Sequence, residues 1–310
     1  MIKITKDYNN PPAILNAGSC ENKVLKSIMN ESSKGGSNKN IYNGHHYRHS
    51  QVTTALNLLY NEKCAYCESN SDHVSTLRVE HYRPKAEVHE LVLDKNGNEK
   101  RKKIEEHKGY YWLGCEWSNL LLACEKCNSQ SAKGNLFPIS GVRVSWTIPF
   151  TDGGIFNRTE LIASNDPLIK EFPLLLNPEI DNPIFHINLT SHGFLIPNND
   201  SLKGKESIKV YDLNRYSLYK RRRTIIDNLL EEIKVLIKRL AGKEINIKTF
   251  KLFLDDIFRK IENRRKATQE YSFLGFCMYN QFDIFFLPFL EPMYRSPINQ
   301  QFLLYKQRNP

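Results

Sequence analysis

Four cysteines, one histidine and one carboxylate carry most of the chemistry in this chain. Cys64-Ala65-Tyr66-Cys67 and Cys124-Glu125-Lys126-Cys127 each set two thiolates on a tight turn. Two such knuckles can close one tetrahedral zinc site, with sulfurs at about 2.3 Å from the ion. Between them stands Val79-Glu80-His81-Tyr82-Arg83-Pro84-Lys85. An imidazole with an ordinary pKa of about 6.5 is mostly neutral at pH 7, which suits His81 to act as a general base. The Glu80 carboxylate is a hard oxygen ligand for magnesium or manganese. Arg83 and Lys85 are the right types to hold substrate phosphates. The reaction that uses a base, a divalent ion and a water together is hydrolysis of a phosphodiester.

The elements must bring these residues to one place. Neighbours on a strand point to opposite faces, so Glu80 and His81 can share a site only at a strand end or bulge, and Pro84 marks such an end. Gln51 onward has helical periodicity leading to the first knuckle. Asp94-Lys95-Asn96-Gly97-Asn98 predicts a hairpin inserted on the surface, followed by the cation run from Lys100 to Lys103, read as a solvated loop. Tyr110, Tyr111, Trp112 and Trp117 are expected in the core, before a buried strand Leu120-Leu121-Leu122-Ala123. Residues 32–40, with Gly35-Gly36, read as a flexible loop. Residues 141–210 read as loop-rich with a small β-hairpin, and 211–310 as helical. There Ile226, Leu229, Leu230, Ile233 and Leu236 follow a 3.6-residue period, and a second helix is expected over residues 247–261.

The chain has 310 residues, 40% of them hydrophobic, with 44 Lys and Arg against 34 Asp and Glu, a net charge of +10. That excess is compatible with a polyanionic partner. Lys220-Arg221-Arg222-Arg223 supplies a basic cluster in which Arg221 and Arg222 are candidates for gripping nucleic-acid backbone. No apolar run approaches the roughly 20 residues of a membrane span, and the first residues lack a signal peptide's apolar stretch. A cytoplasmic protein without a membrane partner is expected, and there paired cysteines hold metal more often than they form disulfides. Cys20, Cys115 and Cys277 read as small apolar residues. No phosphate-binding loop of the Gly-x-x-x-x-Gly-Lys type occurs, so nucleotide control would come from a partner.

The string Val79 to Lys85, followed by Trp117-Ser118-Asn119-Leu120 and by Cys124-Glu125-Lys126-Cys127-Asn128, resembles an HNH endonuclease with a ββα-metal fold. The resemblance implies an α+β protein whose zinc-stapled ββα-metal HNH nuclease core occupies residues 51–140, preceded by an N-terminal extension over 1–50. It implies that His81 is the base, that Glu80 and Asn128 hold the catalytic magnesium or manganese, and that Asn119 ties down the loop between the strands. With neutral Asn128 as one ligand, the ion is expected to bind weakly until substrate phosphate completes its shell. Lys63-Cys64-Ala65-Tyr66-Cys67-Glu68, Lys133-Gly134-Asn135-Leu136-Phe137-Pro138, Leu175-Leu176-Asn177-Pro178 and Asp212-Leu213-Asn214-Arg215 resemble the PtuB nuclease subunit of Septu and retron-linked anti-phage systems. In that family an ABC-type, SMC-like ATPase (PtuA type) controls the nuclease, and a retron reverse transcriptase with its non-coding DNA or RNA is a further expected partner. Lys133 joins Arg83 and Lys85 as an expected nucleic-acid contact. DNA is the first expected substrate and tRNA or another structured RNA the second.

Two other classes use the same residues differently. A zinc-stapled adaptor that binds nucleic acid without cutting accounts for the cysteines and the charge, and has no need of Glu80, His81 or Asn128. An iron-sulfur redox module accounts for the cysteines alone, and a colourless protein would exclude it.

Overall fold

A computed structural model describes residues 1–15, 46–70, 76–145 and 162–309. The expected loop at 32–40 and Cys20 lie outside them. Among the described residues the architecture mixes three small antiparallel ladders with helices, an α+β arrangement, and no helix is long and apolar enough to cross a membrane.

The central ladder joins β1 (Arg78–His81) to a fully buried apolar strand, β4 (Leu120–Ala123), with His81 opposite Leu120 and Arg78 opposite Ala123. Strands this short do not hold alone, and three neighbours support them. Helix α1 (Ser50–Tyr60) lays Val52, Leu56 and Tyr60, spaced one turn apart, against the ladder. The first knuckle donates the Ala65 N–H to the Leu122 carbonyl at 2.8 Å. The second knuckle follows β4 directly, with Cys124 preceding the single-turn helix α2 (Glu125–Asn128). Two strands and a helix turn thus meet both cysteine pairs.

The inserted hairpin forms where the Asn-Gly signal predicts it. Strand β2 (His89–Leu93) pairs with β3 (Glu99–Lys103). Asp94 Oδ1 accepts the Asn96 and Asn98 N–H groups at 2.8 and 2.9 Å, and Gly97 takes a φ of 79° that an L side chain resists. Farther on, β5 (Ile187–Leu189) and β6 (Leu195–Pro197) make the expected small hairpin.

The C-terminal region is helical: α3 (Leu202–Val210), α4 (Tyr216–Ala241), α5 (Ile247–Asn263), α6 (Ser272–Asn280), α7 (Phe282–Phe285) and α8 (Pro292–Arg308). The α4 stripe is buried as its period requires, and the aromatic end of the chain closes over α5, with Phe258 meeting Phe282, Phe302 and Tyr305. This region does not stand apart from the knuckles. Tyr66 stacks on Tyr211 at 3.8 Å, and Glu68 accepts hydrogen bonds from Ser272 Oγ and the Phe273 N–H. The first residues also pack into the body. Lys6 Nζ donates to the Trp117 and Leu120 carbonyls at 2.7 and 2.6 Å and pairs with buried Glu179.

Candidate metal centre and catalytic cleft

The structure gathers Cys64, Cys67, Cys124 and Cys127 into one buried group whose sulfurs all lie within 4.8 Å of one another. Cys67 Sγ and Cys124 Sγ are 3.8 Å apart, the edge of a tetrahedron whose sulfurs sit about 2.3 Å from a central ion. The donor set is soft and closed, with four sulfurs and no oxygen, so this cluster can hold a metal ion such as zinc. Four thiolates around a divalent ion leave excess negative charge in the core. Arg215 answers it, its guanidinium 3.5 Å from Cys127 Sγ and 3.9 Å from Cys124 Sγ. Arg215 lies in one of the family-like strings, but its type and position gave no hint of the partner 88 residues away. Of the other cysteines, Cys277 is a buried thiol that burial pushes up to about 12, which leaves it inert. Cys115 departs from its reading as a small apolar residue and is disulfide-bonded.

Beside the cluster lies a cleft of ≈ 520 Å³ whose lining includes Tyr47, Arg48, Glu80, His81, Lys85 and Asn128. Glu80 and His81 reach it together because β1 ends at His81. After the strand, the Tyr82 N–H bonds the Asn119 carbonyl at 2.9 Å. Asn119 is wholly buried and spends its side chain on backbone. Its Oδ1 accepts the Arg83 N–H at 2.8 Å, and its Nδ2 donates to the Arg83 and Leu113 carbonyls at 3.1 and 3.2 Å. It therefore clamps the chain where β1 leaves the ladder.

His81 Nε2 sits 2.9 Å from the Gly114 carbonyl. A carbonyl can only accept, so Nε2 carries the proton and Nδ1 keeps a lone pair. Among the described residues no hydrogen-bond partner meets Nδ1, and Tyr47 packs edge-on against the ring at 4.7 Å. Burial, then the Lys85 ammonium, push His81 well below the usual imidazole range, while the Gly114 carbonyl opposes them. The ring is neutral at neutral pH.

Lys133 Nζ is 2.5 Å from Glu80 Oε1, an ion pair whose angles fall short of a hydrogen bond, and it donates to the His81 carbonyl at 2.8 Å. Burial raises Glu80 above the ordinary carboxylate range, with Lys133 pulling the other way. Glu80 and Asn128 bring hard oxygen donors to the same cleft, which fits a magnesium- or manganese-class ion. With Lys133 already neutralising Glu80, the fit is to an ion held weakly.

Three of the expected nucleic-acid contacts need correction. Arg83 does not face solvent. It is buried, with Nε donating to Glu171 Oε2 at 2.9 Å and Nη2 to the Leu168 carbonyl at 2.7 Å, so it is spent on the core. Lys133 is buried against Glu80 and cannot grip a backbone outside the cleft. Arg222 is buried on the inner stripe of α4, donating to the Gly193 and Leu213 carbonyls at 2.7 and 2.9 Å, and burial lowers it to about 10. Lys85 lines the cleft and Arg221 is exposed.

The architecture defines an α+β protein with a four-cysteine centre beside a histidine-carboxylate cleft. No family model and no solved structure matches the chain. Among curated proteins it is similar to Septu protein PtuB of Bacillus mycoides (strain KBAB4), 29% identical over 237 residues, which covers 76% of this chain and 71% of that protein. It is also similar to Septu protein PtuB of Bacillus thuringiensis, 24% identical over 198 residues, covering 63% of this chain and 54% of that relative.

Proposed function

We propose that this chain is a metal-dependent HNH endonuclease, built on a ββα-metal core, that cuts nucleic-acid phosphodiester bonds. The observation that carries the reading is a neutral His81, its Nε2 tied to a carbonyl and its Nδ1 unbonded among the described residues, in the same cleft as Glu80 and Asn128. His81 Nδ1 takes the proton from an attacking water. The Gly114 carbonyl fixes the tautomer and stabilises the imidazolium that forms. Asn119 holds the strand end rigid, so the base stays within reach of its water. Lys85 and Arg48 attract the phosphate from the cleft rim. A magnesium or manganese ion held by Glu80 and Asn128 supplies, when bound, charge neutralisation at the leaving 3′ oxygen.

Similarity to the Septu PtuB proteins supports an anti-phage defence role. Control by an ABC-type ATPase and, in a retron-linked setting, by a reverse transcriptase and its nucleic acid is proposed from the motif resemblance alone. DNA is the first substrate and tRNA the second. The test is to sequence cut ends from cells producing the wild type and His81→Ala. Ends confined to the wild type support the reading, and equal ends from both remove it.

A non-cutting adaptor is favoured by one observation: the only carboxylate proposed to hold the catalytic ion is already paired with Lys133. Purified protein incubated with plasmid and manganese, free of any ATPase, separates the two. The adaptor binds the plasmid and leaves it intact.

A further inference from the structure

We infer that the β2–β3 ribbon is a rigid DNA-binding arm that enters the major groove of a B-form duplex beside the cleft. The inference rests on the reading of nucleic acid as the partner, though not on cleavage.

The ribbon is a fixed element rather than a solvated loop. At its base the His89 N–H donates to the Asn135 carbonyl at 2.8 Å, and the Phe137 N–H donates to the His89 carbonyl at 3.0 Å. Leu91 packs on the core, and Arg101, opposite it in the ladder, bonds the Ala132 and Lys133 carbonyls. On the far strand Glu99 pairs with Lys209 of α3 at 2.9 Å. These anchors reach the segment that carries Lys133, the residue gripping Glu80 and the His81 carbonyl. The arm is thus held in fixed register with the Glu80–His81 cleft.

Three of its other cations have no ion-pair partner among the described residues, since Glu90, opposite Lys102 in the ladder, pairs with Arg143. Strand alternation turns Lys100 and Lys102 away from the Arg101 face, and Lys95 sits in the turn. All three are exposed, and among the described residues none forms an ion pair. Lys103, by contrast, lies 3.8 Å from Glu87 and 3.7 Å from Glu105. Three unpaired cations on a preordered ribbon repel one another unless a polyanion joins them. A two-stranded ribbon fits the B-form major groove, about 12 Å wide, whereas the deep, narrow A-form major groove excludes it. A five-residue strand spans about 17 Å, a reach of about five base pairs at 3.4 Å each.

The test uses the full chain in a His81→Ala background, so that binding is read without cutting. Affinity for a DNA duplex is measured across a salt series for this protein and for the same protein carrying Lys95→Gln, Lys100→Gln and Lys102→Gln. Loss of three phosphate contacts lowers the slope of log affinity against log salt by about 2.7. Lys103→Gln, which removes an already paired cation, leaves the slope close to its parent value. Circular dichroism and zinc content check that each variant is folded. An unchanged slope in the triple variant overturns the arm. An equal loss on an A-form RNA duplex of the same sequence overturns the B-form groove assignment. Loss of a co-purifying protein partner with unchanged DNA affinity reassigns the ribbon to a protein interface. If the wild type never cuts but the slope falls as expected, the arm stands and the nuclease reading fails.

Discussion

At the scale of single residues, burial decides which charges can meet a ligand. Arg83 and Glu171 are both sealed from solvent. Their ion pair at 2.9 Å is supported by the Leu168 carbonyl, which accepts from Arg83 Nη2, and by the Tyr110 hydroxyl, which donates to Glu171 Oε1, while Arg83 Nη1 has no hydrogen-bond partner among the described residues. Removing one partner leaves the other charged and stranded. Arg83→Ala is expected to cost about 3–5 kcal/mol in a urea unfolding curve, while the folded fraction keeps its affinity for nucleic acid. Lys133→Ala does the same to Glu80 and also frees the His81 carbonyl. Its unfolding midpoint should fall, and the surviving protein should cleave more slowly, since Glu80, already raised by burial, then favours its protonated form. The residue types at Glu80, His81 and Asn128 were readable from sequence, and the cleft does collect them. The roles of Arg83 and Lys133 were not, because an isolated Arg or Lys in a string looks the same whether it faces water or a carboxylate 88 residues distant, as Glu171 is from Arg83.

At the scale of elements, periodicity carried what could be read. The hairpin followed from Asn96-Gly97, and the expected helix at 247–261 is α5, two residues longer. The burial of Arg222 was also within reach. It lies four residues after Leu218 and four before Ile226, on the same inner line of α4, so the stripe predicted its phase while its charge suggested the opposite face. Ile233 is wholly buried at the centre of that line, and Ile233→Ala should destabilise the protein by about 2–5 kcal/mol by chemical denaturation. Spacing alone could not reveal that β4 serves three neighbours, because those contacts join residues far apart in the chain.

At the scale of the whole molecule, the sulfur cluster is a joint between regions that sequence divides. Both knuckles, the β1–β4 ladder, Arg215 and Tyr211 of the segment leading into α4, and α6 through Ser272 all converge there. A small ladder with few contacts of its own depends on such a joint. Cys124→Ser, or removal of metal by a chelator, is therefore expected to lower the unfolding temperature of the whole chain in one transition, with metal content falling in parallel. A loss confined to the knuckles, with the helical region melting as before, would show that the two regions are energetically separate. By sequence, the chain is expected to divide into an extension, a core, a loop-rich stretch and a helical end. Yet Lys6 and Glu68 tie the first and last of these into the core through buried polar contacts that no local pattern announces.

The account turns on one imidazole. The direct measurement is plasmid cleavage in manganese by purified wild type and His81→Ala, matched for circular dichroism and zinc content. The wild type should cut, and the variant should lose on the order of 10²–10⁴-fold in rate. Equal cutting by both proteins, at equal zinc and equal fold, would contradict it.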